Sequence, residues 1–93
     1  MQVLRLIAMT IDRYDPVPVY QQLARVIATE IKAGQYPPRT PLPSESSLMQ
    51  RFGVSRGSVR KAMEYLRDQG LVFTVPQRGT YATDEAQPAQ GTP

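Results

Sequence analysis

The sequence predicts a mainly α fold closed by a small β-hairpin: three helices followed by two short strands. Three observations predict it. Apolar residues recur at steps of three and four from Tyr20 to Ile31, the spacing of one buried helix face. Two further helical segments meet at a turn marked by Gly53. Two runs rich in β-branched and aromatic residues then flank a glycine-containing turn after Gly70. At 93 residues there is room for one core.

Each element has its own justification. Residues 1–17 read as a lead-in, an apolar start followed by Asp12-Arg13-Tyr14-Asp15-Pro16-Val17-Pro18, whose prolines favour extended chain. Pro18 is expected in the first turn of helix one, where its missing N–H costs nothing. Tyr20, Leu23, Ala24, Ile27, Ala28 and Ile31 make the buried stripe, and Gly34 stops the helix after Lys32. Four prolines between Tyr36 and Pro43 force an extended connector, with Leu42 as its buried anchor. Ser44 is the expected N-cap of helix two, with Glu45 favourable to the helix dipole and Leu48, Met49 and Phe52 facing inward. Val54 plugs the turn, Ser55 caps helix three, and that helix is expected from Arg56 to Gln69. On a wheel of 100° per residue, Val59, Ala62, Met63 and Leu66 face the core, with Arg56, Arg60, Glu64 and Arg67 expected on the opposite side. Strands follow around Pro76-Gln77-Arg78-Gly79, placing Arg78 at the hairpin tip. Tyr20, Phe52, Phe73 and Tyr81 are expected in the core, while Tyr14 and Tyr65 fit either core or surface. Arg5, Arg13 and Arg25 read as surface. From Asp84 the chain is polar and is expected to be disordered, as a tail or a linker.

Composition narrows the chemistry. With no cysteine there is no disulfide or thiolate, and with no histidine the commonest general base and metal ligand are missing. No catalytic residue, metal ligand or cofactor site is expected, and the chain is not expected to be an enzyme. No apolar run approaches the ~20 residues of a membrane span, and Met1 to Met9 lacks a cleavage pattern; a cytoplasmic protein with no membrane contact is expected. The net charge is +3, with nine arginines and two lysines. Arg56, Arg60 and Lys61 fall in one stretch free of carboxylates, at a helix start whose N–H groups and serine hydroxyls also favour an anion.

Three helices and a hairpin in this order make a winged helix-turn-helix. A helix fits the major groove of B-form DNA while the shorter helix before it sets its angle, and a basic hairpin tip reaches the neighbouring minor groove. Sequence-specific binding of double-stranded DNA is therefore the leading expectation. A winged-helix module that docks a protein, or that binds DNA without sequence preference, is the alternative, and a fragment of a larger enzyme is a third. Arg56 and Arg60 as a solvated helix face is the plain alternative at residue level; Lys61 and Arg67 divide between phosphate contact and surface.

Several motifs also resemble one family. Pro18-Val-Tyr-Gln-Gln-Leu23, Ile31-Lys-Ala-Gly-Gln-Tyr36, Leu42-Pro-Ser-Glu45, Phe52-Gly-Val-Ser-Arg56, Val59-Arg-Lys-Ala62, Leu66 through Gly70-Leu-Val72 and Arg78-Gly-Thr-Tyr81 look like the DNA-binding domain of GntR-type bacterial transcription regulators. The resemblance covers roughly residues 10–83. It implies a DNA-binding domain over 18–83 that reads a short palindromic operator as a homodimer, usually as a repressor. It also implies that dimerisation and effector sensing reside in a separate C-terminal domain beyond 84–93. A small-molecule effector is expected only if such a domain exists, and the isolated chain is expected to be a monomer that pairs on DNA. The candidate DNA-contacting set is Ser44, Ser55, Arg56, Gly57, Ser58, Arg60, Lys61, Arg78, Gly79 and Thr80. By the family pattern Arg56 and Arg60 approach guanines and phosphates, and the serines approach the backbone. Gly57 stands where a hydroxyl residue is frequent, Ser46 where many members carry a DNA-touching arginine, and Arg39 and Gln77 where glycine is usual.

Overall fold

A computed structural model describes residues 11–83 of the chain. The apolar start at 1–9 and the tail expected at 84–93 lie outside the described residues. Three helices, α1 (Val19–Lys32), α2 (Glu45–Phe52) and α3 (Arg56–Asp68), precede strands β1 (Val72–Val75) and β2 (Gly79–Ala82). Pro18 is the N-cap of α1 rather than a residue of its first turn, its carbonyl accepting from Gln21 and Gln22. Gln69 caps α3 and is not part of it.

The stripes read from periodicity form one core. Leu23, Ala24, Ile27 and Ile31 of α1 meet Val59, Ala62, Met63 and Leu66 of α3, closed by Leu42, Leu48 and Val54. Burying a side chain of this size contributes about 1.5–3 kcal/mol, so the interior is what fixes the helices against one another. Two glycines set the sharp corners. Gly53, at φ 65°, ends α2 and turns the chain into Val54 and the cap of α3. Gly70, at φ 76°, ends α3 with its N–H on the Arg67 carbonyl and that of Leu71 on the Leu66 carbonyl, sending the chain into the wing.

The strands pair antiparallel with Phe73 opposite Tyr81 and Thr74 opposite Thr80. A third piece joins them: Pro41 bridges Tyr81, and the Leu42 N–H donates to the Thr80 carbonyl at 2.8 Å. The proline-rich connector is thus the near edge of the wing. Phe73 is corrected from core to surface, at 46% exposure. In a four-residue strand Val72 and Thr74 share one face, Val72 is the buried member, and Phe73 necessarily points away, where it stacks on Tyr81. Tyr20 and Phe52 pack on the core while half-buried.

Residues 11–17 are tied down by side chains. Gln22 accepts from the Asp12 N–H at 2.8 Å and donates to the carbonyls of Asp12 and Val17, while Arg13 donates to the Gly53 carbonyl at the turn between α2 and α3. Near the other end of α1, Glu30 is a buried carboxylate at 1% exposure. It accepts from the Tyr36 hydroxyl at 2.7 Å and from both terminal nitrogens of Arg51, tying the connector and α2 to α1. A buried charge demands such partners.

Candidate nucleic-acid interface

α2 and α3 begin alike. Ser44 accepts from the Ser47 N–H and Ser55 from the Ser58 N–H, each at 3.1 Å. Both cap hydroxyls also donate to the serine three residues on, Ser44 to Ser47 and Ser55 to Ser58. Ser44 and Ser55 are therefore committed to their own helices, while Ser47 and Ser58 accept and keep their protons to give, Ser58 being the one in the candidate set. Gly57 lies in the first turn of α3, where a Cβ meets only the Ser55 hydroxyl oxygen at 3.8 Å, so the open surface there reflects side-chain choice and not crowding.

The basic residues fall into three positions. Arg56 and Arg60 converge on one carboxylate: Arg56 Nη1 donates to Glu45 Oε1 at 2.8 Å, and Arg60 Nε to Glu45 Oε2 at 3.1 Å. Their side chains remain 48% and 66% exposed. The Arg60 hydrogen bond, then that of Arg56, holds the Glu45 carboxyl below its ordinary value. Lys61 is elsewhere, its ammonium 5.0 Å from the centre of the Tyr20 ring, which meets Tyr65 edge-on. Arg78 is at the wing tip. There its N–H closes a turn onto the Val75 carbonyl at 2.9 Å.

Between α3 and the wing runs a groove of about 580 Å³. It gathers Ser44, Arg60, Arg78, Gly79 and Thr80 of the candidate set, and adds Arg67, Thr74, Glu45 and Glu64. Ser55, Arg56, Gly57, Ser58 and Lys61 do not line it; the first four stand at the start of α3 beside it. Arg60, Glu64 and Arg67 share these walls with Val59 and Met63. Arg60 and Arg67 flank the buried stripe and do not oppose it, because residues one and eight positions from Val59 are only about 80–100° round the helix, whereas Glu64, five positions on, is about 140° round and lies on the far side as expected. Arg67 donates to Thr74 at 3.0 Å, and Thr74 meets Thr80 at 3.3 Å, so a hydroxyl line joins α3 to both strands. Glu45 and Arg67 are the side chains that sequence reasoning placed least well. Glu45 is spaced 11 and 15 residues from its partners, beyond any local pattern; Arg67 needed the wing's strand phase to find Thr74.

Among the described residues no cluster of His, Cys, Asp or Glu is arranged to hold a metal, and no helix is long and apolar enough to cross a membrane.

A short helix capped by serine, a tight turn, a second helix with exposed arginines at its start and a basic hairpin beside it define a winged helix-turn-helix domain. The chain belongs to the gntR family of bacterial regulatory proteins, whose family model matches residues 19–82. It is 39% identical to the transcriptional repressor NagR of Bacillus subtilis over 81% of this chain and 31% of NagR. It is 40% identical to MngR of Escherichia coli, the mannosyl-D-glycerate transport and metabolism system repressor, over 73% of this chain and 28% of that protein. The chain therefore spans about a third of the length of these relatives. Among solved structures it resembles AraR(DBD) in complex with operator ORR3, with a TM-score of 0.67 and 41% identity over 71% of this chain and 80% of that one. YtrA of Sulfolobus acidocaldarius, a GntR-family transcription factor, gives a TM-score of 0.71 and 33% identity over 82% of this chain and 80% of its own.

Proposed function

We propose that this domain binds double-stranded DNA sequence-specifically and regulates transcription, as a repressor, without catalysing a reaction. In this reading α3 enters the major groove, Arg56 and Arg60 meet base edges and phosphates, Ser58 meets the backbone, and Arg78 at the wing tip enters the adjacent minor groove. Ser44, Ser55 and Gly57 serve by holding the two helix starts open to DNA, and Gly79 and Thr80 by shaping the wing. Two copies read an inverted repeat. An effector, where there is one, acts outside this domain, whose interior is filled by the apolar cluster.

One observation carries the reading. Arg56 and Arg60 are held side by side and half-exposed at the start of α3, and Arg60 shares a groove with the wing arginine Arg78. The similarity to the repressors NagR and MngR, and to the AraR domain solved in complex with its operator, supports the same direction. The test is selection of bound sequences from a random duplex library, with the enriched duplex titrated at two salt concentrations. An enriched inverted repeat is expected. Arg56→Ala and Arg60→Ala should each weaken binding to it by about 1–3 kcal/mol and relax base preference, whereas Arg78→Ala should weaken binding with less loss of discrimination. Binding without enrichment leaves a nonspecific DNA binder, and unchanged affinity in Arg56→Ala removes α3 from the interface.

A further inference from the structure

A surface built only to attract phosphate has no use for a carboxylate at its centre, yet Glu45 lies between the two arginines of α3. It is the first residue of α2, and each of its two oxygens takes one guanidinium. The two arginines hold it charged, so the trio carries a net charge of one positive where the arginines alone would carry two. Nonspecific affinity for DNA follows the number of phosphates neutralised. Base recognition depends instead on where the donors point. Glu45 acts on these two quantities in opposite directions. It cancels one charge that any phosphate would feel. It also spends only one N–H of each guanidinium: Arg60 is gripped through Nε, which leaves its outer Nη1–Nη2 edge free, a pair of donors suited to guanine O6 and N7. Two long side chains fixed on one carboxylate have a set spacing, and the rotamer freedom they would lose on binding is already largely lost.

We infer that Glu45 is a specificity-determining residue, suppressing nonspecific attachment while positioning Arg56 and Arg60 in one register. This rests on the DNA-binding reading above. Three variants of the full chain separate its parts, each titrated against the enriched duplex and a scrambled duplex of the same length, with thermal melting as a check of folding. Glu45→Gln should bind the scrambled duplex about three- to tenfold more tightly, with a salt slope steeper by about one unit. Its ratio of specific to nonspecific affinity should fall by about tenfold or more. Glu45→Asp keeps the charge but shortens the reach to both arginines; it should hold nonspecific binding at the wild-type level while losing affinity for the enriched duplex. Glu64→Gln removes a carboxylate from the same groove that is paired with neither arginine, and it should tighten both duplexes by one factor, leaving the ratio unchanged. A discriminating wild-type chain beside a Glu45→Gln variant with the same ratio overturns this inference alone. A wild-type chain that binds neither duplex overturns the DNA reading, and this inference with it.

Discussion

Tyr36 couples its own ionisation to the stability of the fold. Its hydroxyl donates to the buried Glu30 carboxylate, and burial first, then that hydrogen bond, pushes the phenol from 10.0 up to about 12. The fold thus prefers the protonated phenol. A group whose pKa is raised on folding contributes stability that is complete below its unfolded value and lost as the pH climbs to the folded one. Stability should therefore decline between about pH 10 and pH 12 as Tyr36 ionises. Tyr36→Phe should lower stability at neutral pH by about 1–3 kcal/mol, since a buried carboxylate loses a donor, and should flatten that alkaline decline. Denaturant melts across the pH range read both effects, and an equally steep alkaline loss in the variant would sink the assignment. At this scale legibility follows distance along the chain. Ser44 and Ser55 were readable as caps because the cap and the N–H it serves are three residues apart. Glu30 with Arg51, and Glu45 with Arg56 and Arg60, are separated by 11 to 21 residues, and only the packing of α1, α2 and α3 brings them together. A buried Glu30 looks, in sequence, like any charge at the end of an amphipathic helix.

The turns are the elements where sequence and backbone are most at odds. Arg39 at φ 70° and Gln77 at φ 64° are the non-glycine residues with positive φ among those described. Both follow a proline in a closed four-residue turn: Thr40 N–H bonds Pro37 oxygen at 3.1 Å, and Arg78 N–H bonds Val75 oxygen at 2.9 Å. Proline at the second position and positive φ at the third is the pattern of a type II turn, whose third position suits glycine. The turn shapes are therefore kept and their cost is borne locally, about 1–2 kcal/mol for each left-handed side chain. Arg39→Gly and Gln77→Gly should each stabilise the domain by about 0.5–1 kcal/mol, the relief being partly offset by the freer unfolded chain. For a domain of this size that is a rise of roughly 2–8 °C in Tm. A fall in Tm for either variant would mean that the side chain makes contacts worth more than the strain. The helices were legible because a 3.6-residue period repeats over two to three turns, as from Tyr20 to Ile31. The wing was legible as a hairpin but not in phase, since four residues per strand do not say whether Val72 or Phe73 is buried. The part played by Pro41 was hidden because prolines argue against strand pairing; here proline sits at an edge, where the missing N–H is not needed.

For the whole molecule the decisive quantity is how much one copy can do alone. The candidate interface offers Arg56, Arg60 and Arg78 from a single domain, with Arg67 farther along the groove and the carboxylates of Glu45 and Glu64 among them. If three of these cations displace counterions, the logarithm of affinity should fall with the logarithm of salt with a slope near −3 for one half-site, at about −0.9 per phosphate. That is a weak, salt-sensitive foothold, since phosphate contacts position a protein without selecting a sequence. Two copies on an inverted repeat should double the slope. Joining them covalently turns the second docking event into an intramolecular one, worth about 10²–10⁴ in affinity when the linker spans the half-sites. We therefore expect the isolated chain, which pairs only on DNA, to bind the inverted repeat more tightly per site than a single half-site, and a tandem-linked dimer to bind the repeat at least 100-fold more tightly than a single half-site. The comparison should be run at two salt concentrations with linkers of two lengths, so that a short tether is not mistaken for absent pairing. A linked dimer that gains nothing on the repeat at either length would mean that each domain reads its site alone, and that the two-fold arrangement belongs to some other arrangement of half-sites. A gain that disappears when the half-site spacing is shifted by half a helical turn would instead fix the two α3 helices on one face of the duplex, the geometry that a dimeric reader requires.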